Sequence, residues 1–261
     1  MKESKRKKIG LALGSGGARG FCHIGVLQVL RENNIPIDFV SGCSMGAIVG
    51  GCFCTGVNLA EMESIAAKIV QRKMMDVDIT FKKQGILKGN RAKSFIKKLL
   101  GDASFEDCPI PFAVTATDVC KGELVTFTSG SLTEAIRASF SIPAAFQSVE
   151  FMDKCLIDGG VTERVPIRAV RDLGADAVIA VDALGPPEPV EKIDGFLDMI
   201  ERAFMLLDWQ STKTKLAEAD LVITPAQGNR RIRDFKNNRE SVEFGRAAAK
   251  AALPDILKII S

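Results

Sequence analysis

The 261-residue sequence has no tyrosine, one tryptophan and one histidine. Aromatic side chains make up 6% of the chain, which leaves little material for the stacking platforms of single-stranded nucleic-acid binding proteins. The net charge is only +3, so the sequence does not predict nucleic acid as a partner. A single histidine also argues against the common histidine-containing zinc sites, and we expect no metal.

The sequence also lacks the features of membrane-spanning and disulfide-rich proteins. No run of about 18 apolar residues is present, and the basic N-terminus is not followed by the apolar core of a signal peptide. The seven cysteines are odd in number and follow no disulfide or zinc spacing. We interpret them as small buried apolar groups in a reducing compartment and expect a cytoplasmic protein.

The composition and the element pattern predict a single α/β domain over residues 1–261. Hydrophobic residues make up 46% of the chain and charged residues 26%, which is typical of a globular core. Apolar strand patterns alternate with helical patterns, which predicts a three-layer α/β/α sandwich with a mostly parallel central sheet. The strand patterns used for this prediction are 8–13, 38–41, 112–117 and 177–181.

One segment in the second half of the chain lies outside that simple alternation. A proline-rich stretch starting at Gly185 is followed by a long apolar helix, so 185–216 is expected to be an excursion from the domain. Its apolar side chains suit a mobile acyl-chain lid, a contact with a second subunit or ordinary packing, and the sequence does not choose among them. The last helix is expected to end near Ala252.

The segment Gly42-Cys43-Ser44-Met45-Gly46 matches the pattern G-x-S-x-G between an apolar strand and an apolar helix. That context is the one a nucleophile elbow requires, in which a sharp turn presents the serine oxygen. The following helix directs its first N–H groups toward that oxygen. A plain glycine turn with a capping serine is the alternative, and the flanking strand and helix favour the nucleophile.

A second glycine-rich turn covers Gly14-Ser15-Gly16-Gly17-Ala18-Arg19-Gly20 at the end of the first strand. A dinucleotide-binding fingerprint fails because its third glycine position is Arg19, and the lysine of a phosphate-binding loop is absent. An oxyanion hole remains, because consecutive glycines allow backbone N–H groups to approach a developing negative charge.

The third motif, Asp158-Gly159-Gly160, follows an apolar strand. From the residues alone it is either a catalytic acid or an ordinary Asp-Gly turn. The only histidine, His23, lies early in the chain, whereas the histidine of an α/β hydrolase triad follows the acid. The standard Ser-His-Asp triad is therefore excluded. We interpret His23 as a residue bonded to backbone near the site rather than as a base.

Taken together, the three motifs resemble the patatin-like phospholipase family in order and rough spacing. The resemblance also covers Arg137-Ala138-Ser139-Phe140-Ser141-Ile142-Pro143, and it extends over nearly the whole chain. It implies a Ser–Asp dyad with Ser44 as nucleophile and Asp158 as base. Backbone N–H groups of Gly16 and Gly17 would form the oxyanion hole, supported by Arg19.

The resemblance implies hydrolysis of acyl esters of phospholipids, lysophospholipids or simpler lipids through an acyl-enzyme, without a cofactor. The alternative is a regulatory or adaptor protein of the same fold with vestigial activity. Residues 79–101 are rich in lysine and arginine. They suit either a solvated helix face or peripheral contact with an anionic membrane surface at the inner leaflet. Oligomeric state is not indicated by the sequence.

Overall fold

The structure is a computed structural model that describes residues 6–69 and 85–261. The strands in these ranges are β1 (Ile9–Leu13), β2 (Phe39–Cys43), β3 (Gly85–Leu87), β4 (Phe112–Asp118), β5 (Glu123–Phe127), β6 (Ala144–Phe146), β7 (Val149–Phe151), β8 (Lys154–Asp158), β9 (Ala177–Val181) and β10 (Leu221–Ile223). The helices are α1 (Cys22–Glu32), α2 (Met45–Cys54), α3 (Leu59–Lys68), α4 (Asn90–Leu100), α5 (Leu132–Ser139), α6 (Ile167–Asp172), α7 (Phe196–Lys215) and α8 (Asn238–Ile260).

The central sheet has the order β10-β9-β1-β2-β4-β8-β7, with β5 also paired to β4. The strands from β10 to β4 are parallel, β5 and β8 pair antiparallel with β4, and β7 pairs antiparallel with β8. This confirms the predicted mostly parallel sheet. The parallel strands are buried along their whole length at β1, β2, β4 and β9, as expected for strands covered on both faces.

The two faces of the sheet are covered unequally. Leu11 and Leu13 of β1 belong to a large core cluster that also contains apolar side chains of α1, α2, α3, α5 and α8. Ala12 points to the other face, into a smaller cluster with Ile167 and Val170 of α6. The alternation of side chains along a strand produces this division. The architecture is the predicted three-layer sandwich, with one thick helical layer and one thin layer.

The register along β4 determines where two other strands end. Cys43, the last residue of β2, pairs with Thr115, and Asp158, the last residue of β8, pairs with Ala116. Because β5 occupies the opposite edge of β4, β2 and β8 share one edge. The two strands run toward each other, since one is parallel and the other antiparallel to β4. Their ends therefore meet beside the middle of β4.

Several boundaries differ from the sequence-based expectations. The last helix was expected to end near Ala252, and that prediction is wrong, because α8 continues through Pro254 to Ile260. A proline removes one helical hydrogen bond. Burial of Ile256 and packing of Ile259 and Ile260 against the large core compensate for that loss. The short helix α6 and the small parallel pair β3–β6 were not predicted, since such short apolar segments carry little periodicity.

All seven cysteines are free thiols. Cys22, Cys43, Cys52 and Cys54 are buried, as expected for small apolar groups. The expectation is wrong for Cys120, which is exposed in the turn after β4 where no element covers it. In the part of the chain that the structure describes, none of the helices combines the length and the apolar character needed to cross a membrane.

Candidate active site

Ser44 lies in a strained turn between β2 and α2. Its backbone angles are φ 54° and ψ −118°, a conformation that a residue with a side chain rarely adopts. The turn needs glycines on both sides, since a Cβ on Gly46 would lie 2.1 Å from the Leu13 carbonyl oxygen. A Cβ on Gly42 would lie 2.6 Å from backbone atoms of Gly46 and Ala47. The sharp strand-to-helix turn is present, Ser44 is 3% exposed, and its role as nucleophile stays a prediction.

Asp158 lies beside this turn because β8 ends where β2 ends. Its Oδ1 atom accepts the Gly160 N–H at 2.8 Å and lies 3.8 Å from the Cys43 thiol. No donor in hydrogen-bonding geometry to Oδ2 is found among the described residues. Burial raises the pKa of Asp158 to about 6, and the nearby Ser44 side chain and the Gly160 N–H partly oppose that shift. The carboxyl is thus a stronger base than an exposed aspartate and retains an oxygen for the serine.

An apolar cavity of about 140 Å³ opens beside Ser44. Apart from Ser44 and Gly17, its lining is made of hydrophobic side chains from α2, α3 and α4 together with Phe21, Ile24, Val57, Ile69, Phe140, Ile142, Phe146 and Phe235. Such a cavity excludes water and suits a hydrocarbon chain rather than a polar ligand.

Four N–H groups of the glycine loop donate hydrogen bonds to backbone carbonyl oxygens. Gly14 donates to Val181, Ser15 to Arg164, Ala18 to Ile232 and Arg19 to Gly16, in each case to the carbonyl oxygen. For the N–H groups of Gly16 and Gly17, the described residues offer no acceptor. Gly17 has φ +52°, and a Cβ there would lie 2.4 Å from the Ile232 carbonyl oxygen. The two N–H groups predicted to bind an oxyanion thus have no acceptor among the described residues, and Gly17 lines the cavity.

Arg19 is 5% exposed and lies behind the glycine loop. Its guanidinium donates to the carbonyl oxygens of Ala183, Leu184 and Gly228 at 2.9–3.2 Å. These acceptors follow β9 and β10, so Arg19 joins the glycine loop to the loops after two neighbouring strands. Arg19 is not part of the cavity lining, and its support of an oxyanion hole stays a prediction.

His23 is fully buried on α1, and its Nε2 atom lies 2.8 Å from the Gly14 carbonyl oxygen. A carbonyl accepts, so Nε2 carries the proton in this tautomer. Burial lowers the pKa of His23 to about 4, which keeps the ring neutral at pH 7. The bond fixes the start of the glycine loop, in agreement with the expectation of a histidine bonded to backbone near the site.

Two contacts at the elbow were not predicted from the sequence. The Ser44 N–H donates to Ser139 Oγ at 2.8 Å, and Ser139 is the buried last residue of α5. Cys43 donates its thiol proton toward Asp158. The only sequence signal for Ser139 was its place in the family-like segment before Pro143. For Cys43, which is the variable position of G-x-S-x-G, there was none.

The lysine- and arginine-rich residues 79–101 include α4, while residues 79–84 lie outside the described part. Ala92, Ile96 and Leu100 of α4 face the core. On its other side Lys93 pairs with Glu134 at 2.6 Å and Lys97 with Asp102 at 2.8 Å. Part of the positive charge is therefore neutralised within the chain, and contact with an anionic surface through this segment stays a prediction. Within the described residues, no cluster of three or more histidine, cysteine or acidic side chains is arranged as a metal site.

Known proteins share this arrangement of sequence and fold. The chain is 38% identical over 183 residues to an uncharacterised NTE family protein of Mycobacterium bovis, covering 70% of this chain and 51% of that protein. It is 33% identical over 178 residues to lysophospholipase NTE1 of Yarrowia lipolytica, covering 67% of this chain and 12% of the fungal protein. The chain thus spans about half the length of the mycobacterial relative and a small part of the fungal one.

The fold is similar to that of VipD from Legionella pneumophila, with a TM-score of 0.64 at 13% identity. The superposition covers 96% of this chain and 67% of the other, which supports the fold assignment alone. The model of the family described as patatin-like phospholipase matches residues 11–171, more than half of the chain. The chain therefore belongs to the patatin-like phospholipase family.

Proposed function

We propose that this chain is a serine acyl hydrolase that cleaves carboxylic esters of phospholipids, lysophospholipids or related lipids. The proposal rests mainly on one observation: Ser44, in a strained turn, adjoins both a buried aspartate with a raised pKa and an apolar cavity. The relatives named lysophospholipases support the same substrate class. Residues 1–261 would form one catalytic domain.

In the proposed reaction Asp158 acts as the general base. At pH 7 a carboxyl with a pKa of about 6 is mostly ionised, yet it binds a proton more readily than an exposed aspartate. Ser44 Oγ attacks the ester carbonyl carbon while its proton passes to Asp158. The C–O bond to the alcohol then breaks, and Asp158 returns the proton to the departing alkoxide. The products of this step are the acyl-enzyme and a free alcohol.

Hydrolysis of the acyl-enzyme repeats the same steps with water. Asp158 takes a proton from water, whose oxygen attacks the acyl carbon. The bond to Ser44 Oγ breaks, the serine regains the proton from Asp158, and the fatty acid leaves. One aspartate thus performs both proton transfers without a histidine.

The tetrahedral intermediates carry a negative charge on the former carbonyl oxygen. We assign its stabilisation to the N–H groups of Gly16 and Gly17, supported by the unpaired N–H groups in the first turn of α2, which begins at Met45. Arg19 and His23 act as positioning residues that hold the glycine loop on the ends of β1, β9 and β10.

The test is the pH dependence of kcat/KM for a soluble short-chain ester and for lysophosphatidylcholine micelles. For the wild-type chain we expect activity to fall as the pH decreases through about 6, because protonation removes the base. Asp158→Asn should lose at least about 100-fold in kcat/KM and lack this acid limb. Asp118→Asn is the matched control, since Asp118 is also buried but binds the Cys120 N–H instead.

Two outcomes would reject the proposal. If Asp158→Asn retained most of the Ser44-dependent turnover, the dyad would be wrong. If neither ester were hydrolysed at any pH, the chain would fit better as a regulatory or adaptor protein of the same fold.

A further inference from the structure

Helix α7 presents hydrophobic side chains to solvent. Phe196 is 78% exposed and Leu207 is 72% exposed, and Met199, Phe204 and Leu206 are also exposed. Isolated exposed apolar residues are common, but five on one helix form a patch that needs an explanation. We call these five residues the apolar face of α7.

Three acidic residues of α7 pair with basic side chains of the protein body instead of facing solvent. Asp198 pairs with Arg231 and Arg233, and Glu201 pairs with Arg233 at 3.1 Å. Asp208 pairs with Arg164, which is 2% exposed. The usual arrangement of a surface helix, with apolar side chains inside and charges outside, is therefore reversed. Ion pairs hold the helix on the body while its apolar face remains uncovered.

The segment that receives these ion pairs is strongly basic. Residues 229–239 contain five basic side chains and one acid, and we call them the basic segment. Arg231 is 54% exposed, and Lys236 and Arg239 are exposed. No acid within the described residues forms an ion pair with Lys236 or Arg239. Exposed basic side chains thus lie on the segment that contacts α7 through these ion pairs.

The basic segment is also part of the active-site wall. The Ile232 carbonyl oxygen accepts the Ala18 N–H at 2.7 Å and lies against Gly17. Phe235 lines the apolar cavity beside Ser44 and packs against Phe21, with ring centroids 6.1 Å apart. A surface that contacts α7 and the basic segment would therefore lie next to the cavity in which we place the acyl chain.

We propose that the apolar face of α7 and the basic segment together form a docking surface for a lipid bilayer that contains anionic headgroups. The inference rests on the proposed function, because a lipid hydrolase must reach esters within a bilayer. Apolar side chains enter the boundary between headgroups and acyl chains, and the basic side chains contact phosphates. The acyl chain of a bound lipid then has a short path past Phe235 to Ser44.

Charge favours this occupant over a second copy of the chain. A symmetric dimer places the same patch of both subunits face to face. Dimerisation through α7 would bring the basic segments of the two subunits close together. Their like charges would repel each other and oppose the dimer. An anionic lipid surface complements both features of the patch.

The experiment is vesicle flotation of the chain carrying Ser44→Ala, so that binding is measured without turnover and separately from ester hydrolysis. The vesicles are phosphatidylcholine alone or phosphatidylcholine with phosphatidylglycerol. We expect binding to the anionic vesicles and a sharp loss of binding in 1 M NaCl. Leu207→Asp should reduce the bound-to-free ratio at least about tenfold, because one apolar anchor is lost. Leu257→Asp should leave the bound-to-free ratio unchanged, since Leu257 is also an exposed leucine but lies on α8, outside the proposed surface.

The basic segment is tested by a matched lysine pair. Lys236→Gln should reduce binding to anionic vesicles about fivefold, and Lys250→Gln, at an exposed position of α8, should leave it unchanged. Unchanged binding in both Leu207→Asp and Lys236→Gln would overturn the proposal. So would a wild-type dimer that Leu207→Asp converts to a monomer, since the face would then bind a second copy. Hydrolysis of soluble esters without vesicle binding would reject this surface and leave the proposed function intact.

Discussion

The strand ends around Ser44 and the helix α7 are attached to the same sheet by opposite means. At the strand ends, buried backbone and side-chain hydrogen bonds fix each group, as in the bonds from Ser44 to Ser139 and from His23 to Gly14. On α7, partly exposed ion pairs of Asp198 and Glu201, together with the pair of Asp208 with the buried Arg164, hold the helix, and its hydrophobic side chains face outward. Buried hydrogen bonds are costly to break, whereas ion pairs near solvent contribute little and weaken with salt.

This difference separates two tasks. Catalysis requires the nucleophile, the base and the oxyanion donors to stay within fractions of an ångström of one geometry, so the strained turn is held on all sides. Docking on a fluid surface requires exposed apolar groups and tolerates adjustment. The first region is therefore expected to respond to single-atom changes, and the second to respond mainly to salt and to charge.

The largest effect is expected from Gly17→Ala. The added Cβ would meet the Ile232 carbonyl oxygen at 2.4 Å and displace the two oxyanion donors. We expect kcat/KM to fall by about 100-fold or more. Gly122→Ala is the control, because Gly122 also has a positive φ but has no atom within 4 Å of the added Cβ among the described residues. An equal loss in both variants would show that backbone strain alone, rather than the oxyanion site, causes the effect.

The second effect concerns stability. Asp158 has a pKa of about 6 in the folded chain against 3.8 for an ordinary aspartate, so ionisation in place destabilises the fold as the pH rises through this window. Asp158→Asn should raise the free energy of unfolding at pH 7.5 by up to about 3 kcal/mol. The gain should disappear near pH 4, where the native carboxyl is neutral. Thermal unfolding at both pH values measures it, and a variant that is less stable at pH 7.5 would contradict the assignment.

A smaller effect is expected from Ser139→Ala, which removes the acceptor of the Ser44 N–H. An unmade buried bond costs about 1–2 kcal/mol, so kcat should fall roughly tenfold while KM for a soluble ester changes little. Ser41→Ala provides the comparison, because Ser41 is equally buried on β2 and donates to the Pro166 carbonyl instead. It should lower stability and spare kcat. Equal kcat values in the two variants would exclude a positioning role for Ser139.

The smallest effect tests the attachment of α7. Raising NaCl from 0.1 to 1 M screens the pairs of Asp198 and Glu201 with Arg231 and Arg233. Hydrogen exchange should accelerate by up to about fivefold in α7 and remain unchanged in β1, β2 and β4. If salt changed the hydrogen-exchange rate of α7 no more than the rates of β1, β2 and β4, the ion pairs would not be what distinguishes the attachment of α7.

Much of the fold follows from local pattern. The apolar runs at 8–13, 38–41, 112–117 and 177–181 predicted the parallel strands β1, β2, β4 and β9. The end of α8 was missed because Pro254 is a strong local signal to stop, and only tertiary burial of Ile256 overrides it. The pair β3–β6 and the helix α6 depend on long-range contacts that no short window of sequence contains.

The candidate site was predictable where backbone conformation demands particular residues. Glycines around Ser44 and at Gly17 are such positions, because a Cβ has no room there. Ser139 and the thiol of Cys43 were not predictable, since their roles arise from α5 and β8 meeting the elbow in space. The inward ion pairs of α7 were missed for the same reason, and without them its apolar residues fitted a lid, a subunit contact or a packed helix equally well.

The proposed function requires that the fold activate Ser44 as a nucleophile. Intact-mass analysis after labelling with a fluorophosphonate tests it most directly, because these probes bond to activated serines. We predict one adduct on the wild-type chain, none on Ser44→Ala and strongly slowed labelling of Asp158→Asn. An adduct that persists in Ser44→Ala, or no adduct on the wild-type chain in the presence of lipid, would show that Ser44 is not an activated nucleophile.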